Sequence, residues 1–154
     1  MPSTRLYSSR GFTIIELMVA MALLAILASV AVPFYGDIIA DQRNRAAASD
    51  LHSALVMARS EAVKRNTPVT LSPMPTWSEG WRIVSPVAGQ PDLLSHTQPS
   101  GITIDSAAGS VVFGASGRAN AAVEFELTSD TNANSVRCLN LGIDGRASVE
   151  KGGC

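Results

Sequence analysis

From Leu17 to Tyr35 the chain carries no charged side chain, and only Ser29 and the Tyr35 hydroxyl are polar. About 19 residues at 1.5 Å rise make a helix of roughly 28 Å, close to the hydrocarbon thickness of a bilayer. Arg5 and Arg10 precede the run, with no acid among the first eleven residues. The positive-inside rule then puts the N-terminus in the cytoplasm and everything after the run across the membrane.

One residue does not fit a plain span. Glu16 stands at the start of the run, where a carboxylate costs about 2.5 to 3.5 kcal/mol on insertion scales. A secretory signal peptide would explain the segment, with Ser29, Val30 and Ala31 offering small residues at the positions that matter for cleavage. A simple single-span anchor would also explain it. Neither needs Glu16, and no Lys or Arg within the span can pair with it. A cut between Gly11 and Phe12 would supply a partner, because it creates an α-amino group four residues before Glu16. That amine could approach its own Glu16. Between staggered, side-by-side helices it could instead neutralise the carboxylate of a neighbouring chain, which would make Glu16 a docking device, unpaired in a lone subunit.

The stretch "RGFTIIELMVAMALLAILASVAVP" resembles the class III signal of type IV pilins and pseudopilins. The resemblance implies a leader, residues 1–11, removed by a prepilin peptidase after Gly11, and a mature, N-methylated terminus at Phe12. It implies that Glu16 helps dock subunits, and that residues 12–35 lie in the inner membrane before assembly and in the filament core after it. Pro33 falls where many pilins have a helix-bending proline.

Pro33 lacks an amide hydrogen and crowds the preceding turn, and Gly36 weakens the same stretch, so both are candidates for helix flexibility or for a helix end. Good helix formers resume after them. Ala47, Leu51, Ala54 or Leu55, Ala58 and Ala62 step by three and four into one apolar stripe, with Arg43, Arg45, Ser49, Asp50, Ser53, Ser60, Glu61 and Lys64 on the other faces. Lys64 and Arg65 suit a helix C-terminus, Asn66 suits a left-handed residue and Pro68 follows. The reading is one helix from about 12 to 65, bent near Pro33, whose half at 36–66 is amphipathic.

Beyond Pro68 the period changes to two. "PVTLS", "GWRIVS", "GITID", "SVVFG", "AVEFELT", "SVRCLNLG" and "GRASVE" read as strands separated by Gly, Pro, Asn and Ser clusters. The expected fold is α+β and type IV pilin-like: a long N-terminal helix packed on an antiparallel β-sheet domain, with residues 67–154 forming the head. "ARSEAVKRNTPVTLS" followed by "GWRI" is similar to the GspH/FimT group of minor pilins, and most like its FimU type. The residues themselves read more simply: Arg59 and Glu61 as solvated helix residues, Trp77 and Trp81 as core or rim aromatics.

Little in the head suggests catalysis. His52 and His96 are the available bases, the first read as a helix-surface or interface residue and the second as a loop residue; "GASG" at 114–117 is one residue short of a nucleophile elbow. No metal and no cofactor is expected, since Cys138, Cys154, His52 and His96 lack paired ligand spacing. A Cys138–Cys154 disulfide is the better reading if the head lies outside the cytoplasm. Net charge is −1, and loss of Arg5 and Arg10 with the leader would take it to −3. That balance disfavours a nucleic-acid binder. FimT-like relatives that take up DNA resemble one another in a C-terminal Gly-Arg-x-Arg element. Here Arg146 matches its first arginine, but Ser148 replaces the second and Asp144 and Glu150 flank it.

The resemblance implies a noncatalytic minor pilin that primes a type IV pilus and sits near its tip. Its implied partners are other minor pilins, the major pilin, the prepilin peptidase, the inner-membrane assembly platform, membrane lipid and a tip adhesin. The alternatives are a GspH-like pseudopilin of type II secretion and a FimT-like DNA receptor.

Overall fold

The computed structural model describes residues 12–154; Gly11 and the leader before it lie outside the described residues. A single helix, α1 (Ile14–Arg65), is followed by β1 (Val69–Pro73), β2 (Gly80–Val84), β3 (Leu94–Thr97), β4 (Ile102–Asp105), β5 (Val111–Phe113), β6 (Val123–Ser129), β7 (Asn132–Leu141) and β8 (Ala147–Lys151). The chain divides into two compact units, Met1–Tyr35 and Gly36–Cys154.

In the first unit every described side chain from Phe12 to Ser29 is exposed, including Ile14, Leu17, Leu24 and Leu27. A helix apolar on all sides has no stable place in water and needs lipid or other helices around it. Among the described residues no helix is long and apolar enough to cross a membrane. The run read from Leu17 to Tyr35 includes 30–34, whose side chains, Pro33 among them, lie outside the described residues. Helix continues on both sides of Pro33 and Gly36, so neither residue ends it.

In the second unit α1 stops through a Schellman motif. Asn66 takes φ 50°, its amide donates to Val63 O, and the amide of Thr67 reaches back to Ala62 O, both at 3.2 Å. The expected stripe is the buried face: Ala47, Leu51, Ala54, Leu55, Ala58 and Ala62 are all buried, and Ala40 and Ala48 join them. So many alanines let the helix backbone lie close to the strands beneath it.

The strands form two antiparallel sheets of four, ordered β3-β2-β1-β5 and β4-β6-β7-β8. Their inner faces and α1 share one core, in which Trp81, Phe113, Phe125, Leu71, Ile83, Leu127 and Leu139 are fully buried. Along β6 the alternation is as read, with Val123, Phe125 and Leu127 inward and Glu124 outward. Trp77 is buried, donates its indole N–H to Ala108 O at 2.8 Å and meets Phe125 edge-on at 4.9 Å.

One expectation changes: His96 lies on a strand rather than in a loop. β3 pairs with β2 through Trp81↔His96, and the imidazole stacks on the indole at 4.4 Å between centroids. "LSHT" offers a single apolar residue and no β-branched run, so period-two reading has nothing to hold.

Candidate functional site

The start of α1 explains how a carboxylate can sit beside an apolar run. Thr13 precedes the first helical residue, and its amide and hydroxyl both donate to Glu16 Oε2 at 2.8 Å. The Glu16 amide donates back to Thr13 Oγ1 at 3.3 Å. This reciprocal arrangement is a capping box, which uses the acid to satisfy amides that the helix itself cannot. In the single chain Glu16 is therefore hydrogen-bonded within its own helix start, through neutral donors rather than a cation. The Thr-x-x-Glu spacing was in the sequence and would have given it away. Among the described residues Glu16 has no cationic partner.

The two glycine positions at the head of the chain differ. Gly11 lies outside the described residues. Gly36 is helical, and a Cβ added there would meet nothing within 4 Å, so no close contact requires glycine.

A buried polar bolt fixes the helix to the second sheet. Asn44 is fully buried on α1, and its Nδ2 donates to Leu127 O of β6 at 3.0 Å and to Ser135 O of β7. One turn earlier Asp41 accepts from Arg137 Nη2 of β7 at 3.0 Å and from Arg45 Nη2 at 3.3 Å. Partial desolvation works against the Asp41 carboxylate. The hydrogen bond and charge of Arg137, with Arg45 and Lys151, outweigh that and hold its carboxyl below the ordinary value. Neither residue was singled out from the sequence, where a polar residue in a helix reads as solvent-facing.

Two turns of one pattern sit together at the foot of the strands. Gly114–Arg118 and Gly142–Arg146 each close with the first glycine amide donating to the arginine carbonyl at 2.9 Å. In each the second glycine donates to the first glycine's carbonyl at 2.8 Å. The turns touch through Ala119 N–H to Ile143 O at 3.1 Å, and both second glycines take φ 76° under the Arg59 side chain. Arg146 projects from the second turn, 82% exposed, with Asp144 Oδ2 at 3.6 Å from its Nε. The structure thus gives Arg146 an acid beside it in its own turn.

Cys138 and Cys154 form a disulfide, with Cα atoms 5.0 Å apart. The Cys154 amide also donates to Glu126 Oε2 at 3.0 Å, so the last residue is held to β6 as well as β7. His52 is half-buried, its Nε2 lying 3.2 Å from Ala147 O, and His96 is stacked on Trp81, so neither is paired with a nucleophile. No group of three metal-ligating side chains occurs among the described residues.

Residues 47–145 match the family described as Type II transport protein GspH, and residues 6–32 match the Prokaryotic N-terminal methylation motif. No curated protein sequence matches the chain. Among solved structures, the type IV minor pilin FimU of Pseudomonas aeruginosa strain PAO1 superposes in two crystal forms. One gives a TM-score of 0.60 at 23% identity over 69% of this chain and 91% of that one. The other gives 0.61 at 22% identity over 69% and 87%. The minor pseudopilin EpsH from the type 2 secretion system of Vibrio cholerae gives 0.58 at 11% identity over 71% and 97%. At these identities the likeness is one of fold. The family match spans most of the head and the methylation motif covers the helix start, so the chain belongs to the GspH family, in the GspH/FimT group of type IV minor pilins and pseudopilins.

Proposed function

We propose that this protein is a noncatalytic minor pilin that primes assembly of a type IV pilus and remains near its tip with other minor pilins. Members of the pilin family assemble with other pilins and are structural rather than catalytic, and the methylation motif implies a cell-envelope location. The observation that carries the finer reading is the joining, in one chain, of an apolar helix exposed on all sides to a compact disulfide-bonded head. Such a chain is incomplete alone. Its helix must be covered by lipid and then by like helices, while the head is free to meet neighbours.

In this reading the prepilin peptidase cuts between Gly11 and Phe12, and Phe12 is N-methylated. Residues 12–35 lie in the inner membrane with the head, 67–154, in the periplasm, and later enter the filament. Glu16 docks the subunit against the amine of a neighbour, Pro33 and Gly36 let the helix adapt, and residues 36–66 join it to the head. Major pilin, other minor pilins, the assembly platform and a tip adhesin are the partners. DNA is not among them, because Arg146 has Asp144 beside it and no second arginine two residues on.

The test is the amount of major pilin sheared from cells lacking this gene, measured beside the total cellular pool. Surface pilin should collapse while the pool persists. Unchanged surface pilin would remove the priming role. Type II secretion, favoured as the second reading by the GspH match and the EpsH-like fold, would then be measured in the same strain through its exported proteins.

A further inference from the structure

The edges of the two sheets are treated unequally. An edge strand leaves a row of unpaired main-chain donors and acceptors, which soluble domains ordinarily plug. On β4 the outward amide of Ile104 donates to Ser78 Oγ at 2.8 Å, and that hydroxyl donates to Ile104 O at 3.3 Å. On β5 Asn120 does the same for Val112, its amide donating to Val112 O at 2.9 Å and its Oδ1 accepting from Val112 N at 3.0 Å.

β8 is only partly covered. The bonds Gly142 N–H to Arg146 O and Gly152 N–H to Val136 O, with the β7–β8 register, set the phase of the ladder. Ser148 and Glu150 face β7, while the main-chain groups of Ala147, Val149 and Lys151 point outward. Ala147 O is taken by His52. Those of Val149 and Lys151 have no partner among the described residues.

A cleft of about 340 Å³ opens beside this edge, walled by Arg45, Ser49 and His52 of α1, Arg137 of β7 and Val149 of β8. Its charge is unbalanced. Arg45 and Arg137 share the single carboxylate of Asp41, and Lys151 adds a third cation to the same group. Arg137 also keeps a buried Nε with no hydrogen-bond partner. Asp37 accepts from Asn132 Nδ2 at 3.0 Å in an adjoining hollow that Lys151 and Asp41 also line.

We propose that the β8 edge and this cleft form a docking site for an extended, carboxylate-bearing segment of another pilin head. The segment's backbone pairs with the outward groups of Val149 and Lys151. Every second side chain then faces the helix, so an acid meets Arg45 and Arg137 and an apolar neighbour covers Val149. The inference rests on the chain being an assembly subunit.

The test uses the full-length protein in cells that carry its assembly system. A photo-crosslinking amino acid replaces Val149, or Ser95 on the edge strand β3, and the joined peptides are sequenced by mass spectrometry. The Val149 position should capture an Asp- or Glu-containing segment of a different pilin chain, with roughly fivefold less adduct at Ser95, as expected where charge complementarity selects the partner. Arg45→Glu should cut the Val149 adduct by a similar factor while the protein level holds. Capture of a second copy of this chain, of a segment without an acid, equal capture at Ser95, indifference to Arg45→Glu, or no adduct at all overturns the site. If no adduct forms where deleting the gene abolishes surface pilin, docking at β8 fails and the priming role stands.

Discussion

Asn44 is the polar residue that the helix–sheet contact cannot do without. Its amide group ties two strands to α1 through carbonyls that lie away from water, so its removal takes one buried hydrogen bond from each. Asn44→Ala should lower stability by about 2 kcal/mol in urea denaturation, whereas an exposed neighbour such as Ser49→Ala should move it by less than about 0.5. Asp41 contributes in a pH-dependent way. Its folded carboxyl is held below its ordinary value of 3.8, so its contribution is fully present above that pH and is lost as pH falls through the lower folded value. The stability gap between the protein and Asp41→Asn should be constant from pH 7 down to about 5 and close under more acid conditions. Equal gaps at pH 7 and pH 2 would remove the linkage. Neither residue was legible beforehand. The alanine and leucine stripe could be read because spacing alone defines it, but a buried asparagine is defined by carbonyls more than 80 positions away, which no local pattern reveals.

At the level of elements, local chemistry determined what could be read. Strands that alternate apolar and polar residues, such as β6, announce themselves, as does a helix stop made of Arg65, Asn66 and Pro68. β3 does not, because its place depends on Trp81 next door rather than on its own four residues. Each glycine turn closes within five residues, but their pairing has no local signature, since the two lie far apart in sequence and meet only in the fold. That pairing makes Gly145 sensitive. Its φ is 76°, and a Cβ there would collide with the carbonyl oxygen of Gly117. Both the backbone strain and the clash should make Gly145→Ala destabilising by about 2 to 4 kcal/mol. Gly36→Ala, in open helix, should not lower stability and should raise it by up to about 1 kcal/mol, because alanine is the better helix former and meets nothing there. Thermal melts of the two variants side by side check this. A harmless Gly145→Ala would mean the turns are free to separate.

For the whole molecule the open question is what Glu16 does once many chains meet. The capping box offers a complete local role, satisfying the first amides of α1, and docking offers a second role that needs a negative charge facing a neighbour's amine. Alanine at this position removes both and cannot tell them apart. Glutamine can. It serves at the third helical position of a capping box almost as glutamate does, so the helix start is retained, but it carries no charge to pair with an amine. In apolar surroundings an unpaired ammonium is costly, so an assembly that relies on the ion pair loses the partner it most needs. If Glu16 docks by charge, Glu16→Gln should reach the membrane at normal levels and yet be depleted from sheared filaments about as strongly as Glu16→Ala. If the carboxylate only caps, Glu16→Gln should enter filaments like the unaltered protein while Glu16→Ala lags. Immunoblots of the sheared and membrane fractions separate these outcomes. Restoration of Glu16→Ala by a new cap, with no charge returned, would place the role in the helix start and remove docking from the account.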